Sequence, residues 1–165
     1  MGEQIKTTPE ENQLTQSNNM DELDSRYLTF LIGDAIYGIA LTNVLEIINI
    51  QSITQVPNIP PHIKGIINLR GKVIPVLDAR LKMYKEERPY DDKTCIIVIT
   101  IHDMHIGLIV DSVSEVITSD RNHLATPPKT GTDDAQFLSS IIEQDNKVIL
   151  NINIEKFFQN DLFGL

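Results

Sequence analysis

The sequence predicts an all-β fold made of two similar units, and three observations point to it. The 165 residues include 25 Ile and 9 Val but only 5 Ala, a balance that favours pleated strands because side chains branched at Cβ are stiff about χ1. The apolar runs are short, and turn-formers or charges bound most of them. Residues 28–47 match residues 97–116 without gaps at an offset of 69: Ile32 with Ile101, Asp34 with Asp103, Gly38 with Gly107, Ile39 with Leu108, Val44 with Val113 and Glu46 with Glu115. Lys72-Val73-Ile74 then matches Lys147-Val148-Ile149 at an offset of 75. Each copy has about 70 residues, too few for a generous core, so the two should pack against each other and leave a crevice at their junction.

Residues 1–24 come first and are almost free of large apolar side chains, so they bury too little to offset the entropy of ordering; a mobile acidic leader is expected. Strands are expected at Tyr27 to Ile32, Ala35 to Leu41, Lys64 to Leu69, Lys72 to Leu77, Cys95 to Ile101, His105 to Val110 and Lys147 to Ile154. Gly33-Asp34 and His102-Asp103 stand where hairpin turns belong, as do Arg70-Gly71 and Asn146. Short helical turns are expected at Thr42 to Ile48, Asp78 to Tyr84 and Glu155 to Leu162, with Pro60-Pro61 opening another.

Charge and motifs exclude several functions. Fourteen Lys plus Arg against 23 Asp plus Glu give a net −9; residues 1–24, with one Lys and six acids, carry −5 of it and leave −4 for the rest. That balance disfavours sequence-independent nucleic-acid binding, which needs a basic surface. The single Cys95 leaves no internal disulfide and no multi-Cys zinc site, in keeping with a reducing cytoplasm. A signal peptide is missing and no apolar run approaches ~18 residues, so a soluble, non-secreted protein is expected. The segment Gly65 to Val73 has five residues between its glycines and Val73 after Lys72, which does not fit a phosphate-binding loop. His102, Asp103 and His105 read as a hairpin tip, and the sequence offers no obvious further metal ligands beside them. Serines 112, 114, 119, 139 and 140 lack a nucleophile elbow to pair with His123, and the acidic pairs Asp91-Asp92 and Asp133-Asp134 lack a calcium-loop pattern. No enzyme, cofactor or metal is called for.

The segment Val44 to Arg80 is the informative one. Glu46 and Arg70 each interrupt an apolar stretch, where a charge is costly unless paired, and a guanidinium offers a carboxylate two parallel hydrogen bonds. The two side chains are expected to meet, with up to ~3–5 kcal/mol at stake if the pair is buried and about 0–1 if it is exposed.

The block Ile63 to Gly71, followed by Val73 to Asp78, resembles the signature of the CheW-type chemotaxis coupling proteins. The resemblance runs from residue 26 to 158, through Tyr37-Gly38-Ile39, Val44 to Ile47, Gly107 to Asp111 and Asn153 to Lys156; the 24-residue leader is longer than the coupling role needs. It implies two five-stranded SH3-like β-barrels packed side by side with a few short helices. It also implies a non-enzymatic adaptor that links the cytoplasmic tip of a chemoreceptor to the regulatory domain of the histidine autokinase CheA, recruited from the cytoplasm to membrane-associated arrays. By matching positions, a receptor groove would be lined by Leu41, Val44, Ile106 and Val113, with Glu46 and Arg70 at its edge and Gly65 allowing close approach. The kinase-facing surface would include Val73, Thr94 and Cys95. A helical receptor tip in an apolar groove is a recurrent recognition mode. A coupling protein of another receptor-kinase pathway, such as surface motility, is an alternative with the same fold, and a β-barrel oligonucleotide binder is a more distant one.

Overall fold

The computed structural model describes residues 25–119, 123–127 and 133–161. The leader, residues 1–24, lies outside them. Among the described residues, eleven strands form two sheets. They are β1 (Arg26–Ile32), β2 (Ala35–Ala40), β3 (Val44–Asn49), β4 (Ile63–Leu69), β5 (Lys72–Asp78), β6 (Cys95–Ile101), β7 (Met104–Val110), β8 (Ser112–Thr118), β9 (Leu124–Ala125), β10 (Leu138–Gln144) and β11 (Lys147–Ile152). Two short helices, α1 (Ala79–Lys82) and α2 (Ile154–Phe158), follow β5 and β11. Asp78 caps α1, accepting the N–H groups of Arg80 and Leu81, and Asn153 caps α2, accepting that of Lys156.

The repeat is visible in these boundaries. β1 and β6, then β2 and β7, begin 69 residues apart, whereas β4 and β10, β5 and β11, and α1 and α2 begin 75 apart. The copies do not fold as separate units, however. The six-stranded sheet runs β8-β1-β2-β11-β10-β9 and the five-stranded sheet runs β3-β6-β7-β5-β4. Each sheet therefore takes its central hairpin from one copy and its flanking strands from the other. Four pairings join the copies, β1 with β8 and β3 with β6 antiparallel, β2 with β11 and β7 with β5 parallel, and Gly38 and Gly107 sit at the parallel ones, opposite Asn151 and Val76. A Cβ on Gly107 would come within 2.9 Å of Ile96 Cγ2 and one on Gly38 within 3.2 Å of Ile149 Cγ2, so the paired glycines allow side chains to cross the backbone there.

Two expectations are corrected. Among the described residues neither sheet closes into an SH3-like barrel: both are mixed and open, with no ladder joining β3 to β4 or β8 to β9. In the five-stranded sheet, Thr54 of the loop between β3 and β4 takes both backbone bonds of Ile66, at 2.9 Å each, so β4 is bridged by that loop and not by β3. Residues 44–48, expected as helix, form β3; only Leu41–Asn43 make a single 3-10 turn, and Pro60-Pro61 lead into β4 without a helix. Strands β3, β8, β9 and β10 lie outside the expected strand segments.

The largest core lies between the sheets, where Leu28, Phe30, Ile32, Tyr37 and Ile39 face Ile97, Ile99, Ile101, Ile106 and Leu108, with Phe157 and Phe158 of α2 sealing it. The outer faces curl around smaller clusters. Ile67, Ile74, Val76, Ile96 and Val98 close on Ile48, Ile50 and Ile53 in one sheet; Tyr27, Ile142 and Ile149 close on Ile36 and Ile117 in the other. Three hairpin turns, His102-Asp103, Arg70-Gly71 and Asp145-Asn146, have positive φ at both central residues, as the twist of a tight antiparallel hairpin requires.

Candidate partner-binding faces

Glu46 and Arg70 meet. Arg70 Nη1 donates to Glu46 Oε1 at 3.1 Å and Nη2 to Oε2 at 2.9 Å, a bidentate fork. Glu46 belongs to β3 and Arg70 follows β4, the two edges of the five-stranded sheet, so the pair spans the gap that a closing ladder would have filled. The Arg70 side chain is 77% exposed and that of Glu46 21%. Water and salt therefore screen the pair, and its worth is about 0–1 kcal/mol, not the larger value a buried pair would carry. The sequence repeat has a structural echo here: Glu115 of β8, matched with Glu46, lies 3.6 Å from Lys147 of β11. The repeat does not announce this pair, since Lys147 matches Lys72 and Arg70 matches Asp145.

Leu41, Val44 and Val113 are half-buried and Ile106 is buried, all four in or against the core between the sheets. Leu41 and Val44 flank the passage from β2 to β3, and Val113 follows the passage from β7 to β8. Both passages carry the chain from one sheet to the other, so these side chains edge the seam. Gly65 has φ +143°, and a Cβ there would lie 2.0 Å from Thr54 O; the close approach it permits is to its own chain.

The structure does not bring the three kinase-facing positions to one strand end. Val76 lies beside Gly107 and Cys95 opposite Val110. Extending that register places Val73 level with Met104, at the far end of β7 from Cys95, about 20 Å away at ~3.3 Å per residue. Val73 is 65% exposed and Met104 beside it is exposed as well. Thr94 is buried, its hydroxyl accepting the Asp91 N–H at 2.9 Å, and Cys95 is half-buried with its thiol donating to Lys93 O.

Further charged networks tie the elements together. Arg80 of α1 donates Nε to Asp111 Oδ1 at 2.7 Å and Nη2 to Oδ2 at 2.6 Å, while Gly33 N donates to Oδ2 at 2.7 Å. Burial pushes the Asp111 carboxyl up, but the Arg80 and Gly33 hydrogen bonds, with Arg80 and Arg88 charge, hold its pKa below the ordinary value. Tyr90 donates to Asp78 Oδ2 at 2.8 Å; burial, then that bond, raise its phenol well above the ordinary value. Asp161 binds His62 Nε2 at 2.6 Å and Lys82 Nζ at 2.8 Å, both contacts being largely buried. The partners in these networks are remote in sequence, so no local pattern pairs them. Among the described residues no group of His, Cys, Asp and Glu is placed to hold a metal ion, and no helix is long and apolar enough to cross a membrane.

The family model described as CheW-like domain matches residues 26–162. This chain belongs to the CheW-like family. It is 35% identical over 128 residues to the chemotaxis protein CheW of Bacillus subtilis, covering 77% of this chain and 81% of that protein. It is 28% identical over 146 residues to the CheW of Klebsiella aerogenes, with 88% of each covered. The crystal structure of the scaffolding protein TtCheW from Thermoanaerobacter tengcongensis matches at a TM-score of 0.78 and 36% identity, over 84% of this chain and 94% of that one. CheW-family membership gives the chain a scaffold role that couples receptors to the kinase CheA, not a catalytic role.

Proposed function

We propose that the coupling runs through two separate faces of this CheW-family chain, one for the receptor's cytoplasmic tip and one for the regulatory domain of CheA. The receptor face is the seam edged by Leu41, Val44, Ile106 and Val113, beside the Glu46–Arg70 pair and near Gly65. The single observation that carries it is that this fork, joining the two edges of one sheet, leaves its guanidinium 77% exposed while Glu46 lies two residues along β3 from Val44 of the seam. A helical hairpin with an apolar stripe and acidic flank fits such a surface. The kinase face is centred on Val73 and extends toward Thr94 and Cys95. Their separation of about 20 Å is within a standard interface, which buries about 800 Å² on each partner.

The protein works in the cytoplasm and is held at the membrane by the receptors it binds. It transmits receptor state as a small difference in binding free energy between two kinase states, about 1–3 kcal/mol for a typical coupling. Weak contacts repeated across an array cooperate through multivalency. Titrations with a receptor signalling fragment and with the kinase regulatory domain separate the faces. Arg70→Glu is expected to lose the receptor fragment and keep the kinase domain, and Val73→Asp the reverse. Parallel loss of both partners in either variant, with the fold intact, contradicts the two-face reading.

A further inference from the structure

The repeat is a symmetry as well as a duplication. Exchanging the copies turns the strand order β8-β1-β2-β11-β10 into β3-β6-β7-β5-β4, so each sheet is carried onto the other. The registers agree. Gly38 lies opposite Asn151 and Gly107 opposite Val76, while Val113 lies opposite Phe30 and Val44 opposite Ile99, with one extra residue bulged out of β8 and of β3 just after those valines. An operation that carries each copy onto the other and back again is a two-fold rotation. Matched residues therefore stand at the same height along its axis, on opposite sides. Val44 and Val113 are such a match, and so are Glu46 and Glu115.

We propose that the seam grips its partner on two rims, the Glu46–Arg70 pair on one side of the axis and the Glu115–Lys147 pair on the other, with Lys147 as a second receptor-contacting residue. This rests on the receptor face proposed above, which has the first rim alone. Glu115 stands to Val113 as Glu46 stands to Val44, two residues along a strand at the edge of its sheet. Each acid holds a cation from a matching hairpin, Arg70 from the turn between β4 and β5 and Lys147 from the start of β11 after β10, the latter 3.6 Å from Glu115. Both cations are exposed. A pair of antiparallel helices has the same two-fold symmetry, so a helical hairpin laid flat over the seam sets one helix against each rim. Its apolar stripe then covers Val44 and Val113, and a carboxylate from each helix meets a guanidinium or an ammonium. The rims are unequal, however. The position matching Arg70 is Asp145, and Lys147 offers a point charge on a flexible stem where Arg70 offers a planar fork. A fully symmetric seam would accept the hairpin in two orientations half a turn apart; unequal rims favour one of them, because specificity is a difference between binding modes.

Titration of the full chain with a receptor signalling fragment and, separately, with the kinase regulatory domain tests the second rim. Lys147→Glu is expected to weaken receptor binding several-fold, less than Arg70→Glu does, and to leave kinase-domain binding unchanged. Lys147→Arg is expected to keep the receptor affinity. Lys156→Glu makes the same charge change at an exposed position on α2 and is expected to bind as the unaltered protein does. Because the Glu115–Lys147 pair is exposed, its loss is expected to leave the melting temperature close to the parent's. Receptor affinity untouched by Lys147→Glu, or lowered equally by Lys156→Glu, overturns the two-rim proposal, while the loss in Arg70→Glu leaves the receptor face standing on one rim. Loss of kinase-domain binding in Lys147→Glu overturns it as well. Normal receptor binding by Arg70→Glu is the separate result that removes the receptor face itself, and both rims with it.

Discussion

Arg70 combines a positive φ of 51° with an exposed guanidinium forked onto Glu46. Neither feature makes it a large contributor to stability, because an exposed ion pair is worth about 0–1 kcal/mol. A double-mutant cycle on Glu46→Ala and Arg70→Ala is expected to give a coupling of no more than about 1 kcal/mol in denaturant unfolding. The binding loss of Arg70→Glu therefore reports on function, not on folding. Gly65 is the contrary case. Gly65→Ala drives a methyl into Thr54 O and forces an L residue to φ +143°, which is expected to cost roughly 3 kcal/mol or more in the same measurement. The meeting of Glu46 and Arg70 was legible in the sequence, because a charge inside an apolar run asks for a partner. Its exposure was not, since that depends on how far the sheet curls.

At the scale of elements, Asp111 is the one residue between β7 and β8, and it ties that passage to α1 through Arg80 and to the β1–β2 turn through Gly33. Its folded pKa lies below the unfolded value of about 3.9. The stabilisation is therefore fully present above that unfolded value and is lost as pH falls through the folded pKa. Asp111→Asn is expected to lower stability at pH 7 by on the order of 3 kcal/mol, because Arg80 keeps its charge in a largely buried site. The variant's melting temperature is also expected to fall less than the parent's between pH 5 and pH 2. Strand β3 forms where the sequence predicts a helical turn. Its residues Val44 to Asn49 carry apolar side chains on both faces, a run that fits a helix equally well until pairing with β6 selects the extended form. The turn at Arg70-Gly71 and the Asp78 cap were legible, as local chemistry decides both.

At the scale of the whole molecule, the duplication was readable and the exchange was not. Matched residues such as Gly38 and Gly107 announce two copies, yet similarity between copies leaves open which copy's flanking strands each hairpin takes. The sheet order settles it by crossing them. A chain cut between Glu86 and Glu87 is accordingly expected to give two fragments that are unfolded alone and recover native circular dichroism when mixed, because each sheet draws strands from both. The same crossing places the seam, and with it the proposed receptor face, under the control of the whole fold. The coupling claim is tested most directly by kinase activity in a reconstituted mixture of receptor signalling fragments, CheA and this protein. Autophosphorylation is predicted to rise well above that of receptor and kinase alone, and to return to that baseline with Arg70→Glu. Unchanged activity on adding the protein, with all three components folded and present, would contradict the account.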